Sequence, residues 1–136
     1  RLPVDDPDYR GDGYRGTIAY ARSKRMQVAL APLMQRRWAA ENISVHVMHP
    51  GWADTPGFAS SLPLFRMLTR PLLRDAVLGA DTVVWLAATE PPPPGGQFWQ
   101  DRAARPEHYR KATRETEAER RQLWAWVLDA VGLDSA

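Results

Sequence analysis

The sequence predicts an α/β fold in which helix, strand, helix, strand and helix follow one another, an order that right-handed crossovers turn into a parallel sheet. Three observations carry this. A run of good helix formers covers residues 17–40. The β-branched stretch "NISVHVMHP" comes next, with the apolar density of a buried parallel strand. A second helical pattern over 75–88 then leads into "GQFWQ" and a last amphipathic stretch. Two strands are too few for such a sheet. The chain also opens on arginine in the turn-like "RLPVDDPDYRGDGYRG", so residues 1–136 read as the C-terminal portion of a single domain whose other strands lie upstream.

Residues 1–16 are rich in Pro, Asp and Gly and read as a loop. Thr17 is the expected N-cap of a helix that runs to about Ala40. Pro32 should interrupt and kink it, because proline removes the amide that would bond the Val28 carbonyl and crowds that carbonyl. Residues 43–49 are the expected strand, and "PGWADTPG" opens a loop over 50–57. Residues 58–74 mix bulky apolar side chains with arginines and two prolines, which suggests short helical pieces. In the 75–88 helix, Val77, Ala80, Val84 and Ala88 fall on one face with Leu78 and Trp85 alongside, and that face is expected to be buried. The "EPPPPGG" that ends it reads as a stiff spacer, followed by a strand over 96–100. Thr116 and Glu119 form a capping-box pattern within a last helix over 113–131, striped by Leu123, Trp126, Val127, Ala130 and Val131.

Composition narrows the function. With 44% hydrophobic and 25% charged residues among 136, the chain is globular in character. Its net charge of +2 is spread along the length with no basic run, which argues against nucleic acid as a partner. The absence of cysteine removes disulfides, thiol catalysis and the usual zinc sites, and fits a reducing, cytoplasmic setting. No apolar run approaches the roughly 18 residues of a membrane span. His46 and His49, three apart on a strand, should face opposite ways, and Asp5, Asp6 and Asp8 lack the spacing of a calcium loop, so no metal is expected.

One pair stands apart. In "TIAYARSKRMQ", Tyr20 precedes by four positions one of only two lysines in the chain. Four residues on a helix is one turn, so the phenol and the ammonium reach the same cleft. A fixed cation beside a phenol favours its phenolate, which makes a usable proton shuttle. Lysine suits this because its compact ammonium can serve a phenolate and sugar hydroxyls together. A surface tyrosine and lysine on a helix are also ordinary. What adds weight is "HPGWADTPG" at the exit of the following strand, since ligands of open parallel sheets bind at the carboxyl ends of the strands.

Tyr20 and Lys24 in "YARSK", followed by Pro50, Gly51 and Thr55 in "PGWADT", resemble the catalytic-helix and Pro-Gly-x-x-x-Thr motifs of the short-chain dehydrogenase/reductase family. The strings "HPGWADTPG", "GADTVVWLA" and "QFWQDR" are similar to one branch of it in particular, and the resemblance covers about Gly16 to Arg102. It implies a doubly wound, Rossmann-type sheet whose N-terminal nucleotide-binding half is not in this chain. It also implies an oxidoreductase that passes hydride between NAD or NADP and a small carbonyl or alcohol substrate. On that likeness Tyr20 is the general acid/base. Lys24 tunes it and holds the nicotinamide ribose. Pro50 and Gly51 shape the cofactor turn, and Ala53 and Thr55 meet the carboxamide. Trp52 lies inside the motif loop, within reach of nicotinamide or substrate.

The likeness further implies a substrate lid over 58–74, where Phe58, Leu62 and Phe65 would favour a lipophilic substrate. Its arginines would bring it near an anionic membrane surface. The sequence departs from the family in three ways. It has no G-x-x-x-G-x-G pattern, no serine precedes Ser23, and Pro32 stands in the catalytic helix. In the branch just described an insertion moves the catalytic serine upstream. A truncated, non-catalytic relative that binds a partner is therefore the other reading, with homo-oligomers open under both. A basic module for anionic surfaces is weaker, resting on the arginines alone.

Overall fold

The computed structural model describes residues 1–54 and 73–133. Most of 58–74, with Phe58, Leu62 and Phe65, lies outside them, as does Thr55. The elements are α1 (Gly16–Trp38), β1 (Val47–Met48), α2 (Ala76–Ala88), β2 (Phe98–Gln100), β3 (Ala103–Arg105) and α3 (Glu117–Ala130), with 3-10 turns at Ala39–Glu41 and Lys111–Thr113.

Helix α1 starts one residue before the expected cap. Arg15 is the N-cap without a side-chain bond, and its carbonyl accepts from the amides of Ile18 and Ala19, both at 2.9 Å, so Thr17 lies in the first turn. Pro32 does not interrupt the helix. The missing amide costs one bond, and packing of the turn before it outweighs that loss: Ala29 and Ala31 are buried. The chain leaves through Asn42, whose left-handed φ of 57° ends the 3-10 turn.

The strand expected over 43–49 is regular only at Val47–Met48. Ahead of it the Val45 carbonyl accepts from the Gly96 amide, and a helix side chain satisfies further backbone groups. Gln35 of α1 accepts from the Val45 amide at 2.7 Å and donates to the Ile43 carbonyl at 3.5 Å. β1 pairs parallel with β2, Val47 opposite Phe98 and Met48 opposite Trp99. The expected strand over 96–100 starts at Phe98.

The two expected strands pair parallel, and a strand not expected from the sequence, β3, pairs antiparallel with β2 and gives the order β1-β2-β3. The hairpin turn is Asp101-Arg102, with φ of 54° and 55°, the two left-handed residues of the tight hairpin turn that matches strand twist. Nothing in "QDRA" announces it, because neither turn residue is glycine or asparagine. It is held from outside: Arg102 Nε donates to Asp81 Oδ2 at 2.8 Å, and the Arg102 amide to the Thr82 hydroxyl at 3.3 Å.

Helix α2 begins one residue after the expected start, capped by Asp75, whose carboxylate accepts from the Leu78 amide at 2.7 Å. Its buried face is not the expected one. Gly79, Thr82 and Leu86 face inward at helical spacing, whereas Val77 is 79% and Val84 62% exposed, and Ala80 and Ala88 are exposed too. Close approach decides this. A Cβ on Gly79 would lie 3.0 Å from the Ala53 Cβ and 3.9 Å from Pro50, so only the glycine face can lie against the 50–54 loop.

Helix α3 starts at Glu117 rather than 113, and Thr116 and Glu119 form the reciprocal capping box, with bonds of 3.1 and 2.6 Å. Leu123, Trp126 and Val127 turn inward as expected. Leu128 is buried as well, and Ala130 and Val131 are exposed. The core between α1 and α3 gathers Ala29, Leu123 and also Leu2, packed by Val4, Met26, Leu30 and Trp126. The opening loop thus contributes a core residue that turn chemistry alone did not indicate.

Candidate active site

Helical spacing brings Tyr20 and Lys24 together, as expected from the sequence. Lys24 Nζ lies 5.7 Å from the centroid of the Tyr20 ring and donates to Gln27 Oε1 at 3.2 Å. Tyr20 is 66% exposed, and its hydroxyl has no hydrogen-bond partner among the described residues. Ser23 turns back to the Tyr20 carbonyl at 2.8 Å. The C-terminal part of α1 is tied through Gln35 to the amino end of β1, so chain direction reverses between helix and strand. Tyr20 stands 15 residues before Gln35, about 22 Å back along the axis.

At the carboxyl end of β1 the chain turns through Pro50 and Gly51. Gly51 has φ 76°, and its amide donates to His49 Nδ1 at 2.9 Å. Ala53 pairs with Arg74 in an isolated parallel bridge, and Trp52 is exposed. The Arg74 side chain lies across Gly51, where a Cβ would be 2.6 Å from Nε and 2.7 Å from Cζ. Of the sequence-named residues, Tyr20 and Lys24 therefore form one pair, and Pro50, Gly51, Trp52 and Ala53 share one loop at the carboxyl end of the sheet.

A second group was missed in the sequence. The Glu115 carboxylate is fully buried. It pairs with Arg25, stands 2.7 Å from Arg120 Nη2 in an ionic contact without hydrogen-bond alignment, and is 3.3 Å from His108 Nε2. Glu107 meets Arg120 at 2.5 Å. Glu107, His108 and Glu115 could each turn a ligand atom toward one cation. Two guanidinium groups already occupy their oxygens, so the arrangement is an ion-pair network rather than a metal centre. Burial raises the Glu115 pKa, but a backbone hydrogen bond and the charges of Arg25, Arg120 and His108 outweigh it and leave the group below its usual value. His46 is shifted down by burial beside Trp99, 6.2 Å between rings.

The chain is 42% identical over 112 residues to dehydrogenase/reductase SDR family member 12 of Bos taurus, a match covering 79% of this chain and 34% of that protein. It is a relative of the short-chain dehydrogenase/reductases. The Homo sapiens protein of the same name is 38% identical over 117 residues, 83% of this chain and 36% of that one. A protein of Streptomyces sp. (strain C5), named as a candidate daunorubicin C-13 ketoreductase (DnrU), is 34% identical over 87 residues, 62% and 30% of the two chains. This short-chain dehydrogenase/reductase relative spans about a third of the length of the curated relatives it matches. The branch that "HPGWADTPG", "GADTVVWLA" and "QFWQDR" resemble is the one that holds the two mammalian proteins. No family model matches the chain, and no solved structure matches it. The small mixed sheet with flanking helices agrees with part of the doubly wound sheet that the family resemblance implies.

Proposed function

We propose that this chain supplies the proton-transfer and nicotinamide-facing part of an NAD- or NADP-dependent oxidoreductase that interconverts a carbonyl compound and an alcohol. The observation that carries the reading is the Tyr20–Lys24 pair, open on one turn of α1. The residues fit the cofactor's near end. The Lys24 ammonium has three donors and spends one on Gln27, which leaves donors for ribose hydroxyls. The 50–54 loop turns at the sheet's carboxyl end, where such ligands sit.

In carbonyl reduction the Tyr20 hydroxyl donates its proton to the substrate oxygen, and the Lys24 ammonium one turn away stabilises the phenolate left behind. NADH or NADPH, when bound, supplies the hydride. Tyr20 is open enough to regain its proton from solvent, and alcohol oxidation runs the same proton path in reverse. The apolar composition of 58–73 supports a lipophilic substrate. Higher kcat/KM for small polar ketones than for long-chain ones would exclude it.

The test is Tyr20→Phe in the full-length protein, assayed by NAD(P)H oxidation with ketone substrates. Turnover should fall about 10²–10⁴-fold, as for loss of a general acid, while cofactor binding by titration is retained. Near-normal turnover would refute the assignment. A second reading, a non-catalytic relative that binds a partner, is favoured by the exposed Val77–Val84 stripe of α2. Absence of turnover in the unaltered protein, together with a partner lost on Val84→Asp, would support it.

A further inference from the structure

Arg74 touches the 50–54 loop in two independent ways. Its amide donates to the Trp52 carbonyl at 2.8 Å and its carbonyl accepts from the Asp54 amide at 2.8 Å, so its backbone brackets Ala53. Its side chain then lies over Gly51, filling the space a Cβ would need at a residue whose φ of 76° already favours glycine. The guanidinium continues to the hairpin turn and forks onto Asp101, with Nη1 on Oδ1 and Nη2 3.1 Å from Oδ2. That turn is pinned in its turn by Arg102 to Asp81 and Thr82 of α2. Gly79 of the same helix backs Ala53. The loop is therefore gripped between an arginine side chain on Gly51 and a helix beneath Ala53, and both grips lead back to α2.

We infer that Arg74 is a positioning residue: through its fork to Asp101 it fixes the backbone of Gly51–Asp54, the loop read above as facing the cofactor. The effect on the cofactor rests on that reading; the effect on the loop does not. Planarity matters here. One face of the guanidinium covers Gly51 while its edge serves a carboxylate, which a lysine ammonium cannot do.

Amide hydrogen exchange and steady-state kinetics of the full-length protein, with Arg74→Ala, Asp101→Asn and the double variant, test the inference. In each single variant the Asp54 amide should exchange about tenfold faster or more, while the core amides of Ala29 and Leu123 keep their rates. The double variant should add nothing further, since both changes cut the same link. The cofactor KM should rise about 5–20-fold with kcat within about threefold, the split expected when binding geometry rather than proton transfer is disturbed. Arg74→Lys should recover less than half of either effect.

An Asp54 rate within about twofold of the unaltered protein, or additive effects in the double variant, would overturn the inference. A faster Asp54 amide with an unchanged cofactor KM would leave the strut standing and overturn its effect on the cofactor. If the exchange pattern appears in a protein that binds neither NADH nor NADPH, the strut stands and the oxidoreductase reading falls.

Discussion

Replacing Glu115 by glutamine keeps the shape of the side chain and removes its charge. The carboxylate is wholly enclosed and faces Arg25 of α1, Arg120 of α3 and His108, so the change leaves two guanidinium groups facing a neutral amide. Removing one partner of a buried ion pair costs about 3–5 kcal/mol. Arg25 and Arg120 retain 20% and 16% exposure, and water can recover part of that, so about 2–3 kcal/mol is expected at pH 7.

The pH dependence follows from sign. The folded-state pKa of Glu115 is depressed below its ordinary 4.5, so the carboxylate contributes stability above about that pH and loses it as pH falls through the lower folded value. Urea melts of the full-length protein and its Glu115→Gln variant from pH 7 to pH 3 should show a gap that is constant down to about pH 5 and then closes. A gap under about 1 kcal/mol at pH 7, or one unchanged at pH 3, would refute the account of a charge held by its neighbours.

Other expectations rest on separate parts of the molecule. Leu123→Ala empties a site that is 1% exposed between Leu2, Ala29 and Trp126, and should cost about 2–5 kcal/mol in urea denaturation; a loss under about 1 kcal/mol would mean the site collapses freely. Arg102→Gly loses a half-exposed, solvent-screened pair with Asp81 but relieves a left-handed residue at about 1–2 kcal/mol. The same melts should find it neutral or stabilising, and destabilisation beyond about 1 kcal/mol would show that the pair outweighs the strain.

What the sequence made legible is what neighbours in sequence decide. The Thr116–Glu119 box is a pair of side chains bonding backbone three residues away, and Tyr20 and Lys24 meet because a helix turn is about four residues long. The inverted face of α2 was not legible, since apolar periodicity cannot tell that Gly79 must approach Ala53 or that Thr82 receives the amide of a distant turn. β3 was missed for the same reason: its turn is stabilised by Asp81, Thr82 and Arg74 rather than by its own residues. Glu115 looked like one acid among many, and its partner Arg25 lies 90 positions away. Arg74 drew attention only as one of three arginines near a lipophilic stretch. Its role depends on Gly51 and Asp101, neither of them near it in sequence.

Gln35 carries a consequence for how the parallel pair finds its alignment. Two-residue pairing between β1 and β2 has almost no means of its own to reject a slip by one position, and a slip would exchange the faces of Val47 and Met48. The amide of Gln35 takes the Val45 N–H, and it occupies the space that a side chain at Gly95 would need, just before Gly96 donates to the Val45 carbonyl at 2.7 Å. One helix side chain thus acts as a ruler for both strands, measuring each from its amino end. Alignment information for the smallest part of the sheet is stored outside it, and β1 can stay two residues long without becoming ambiguous.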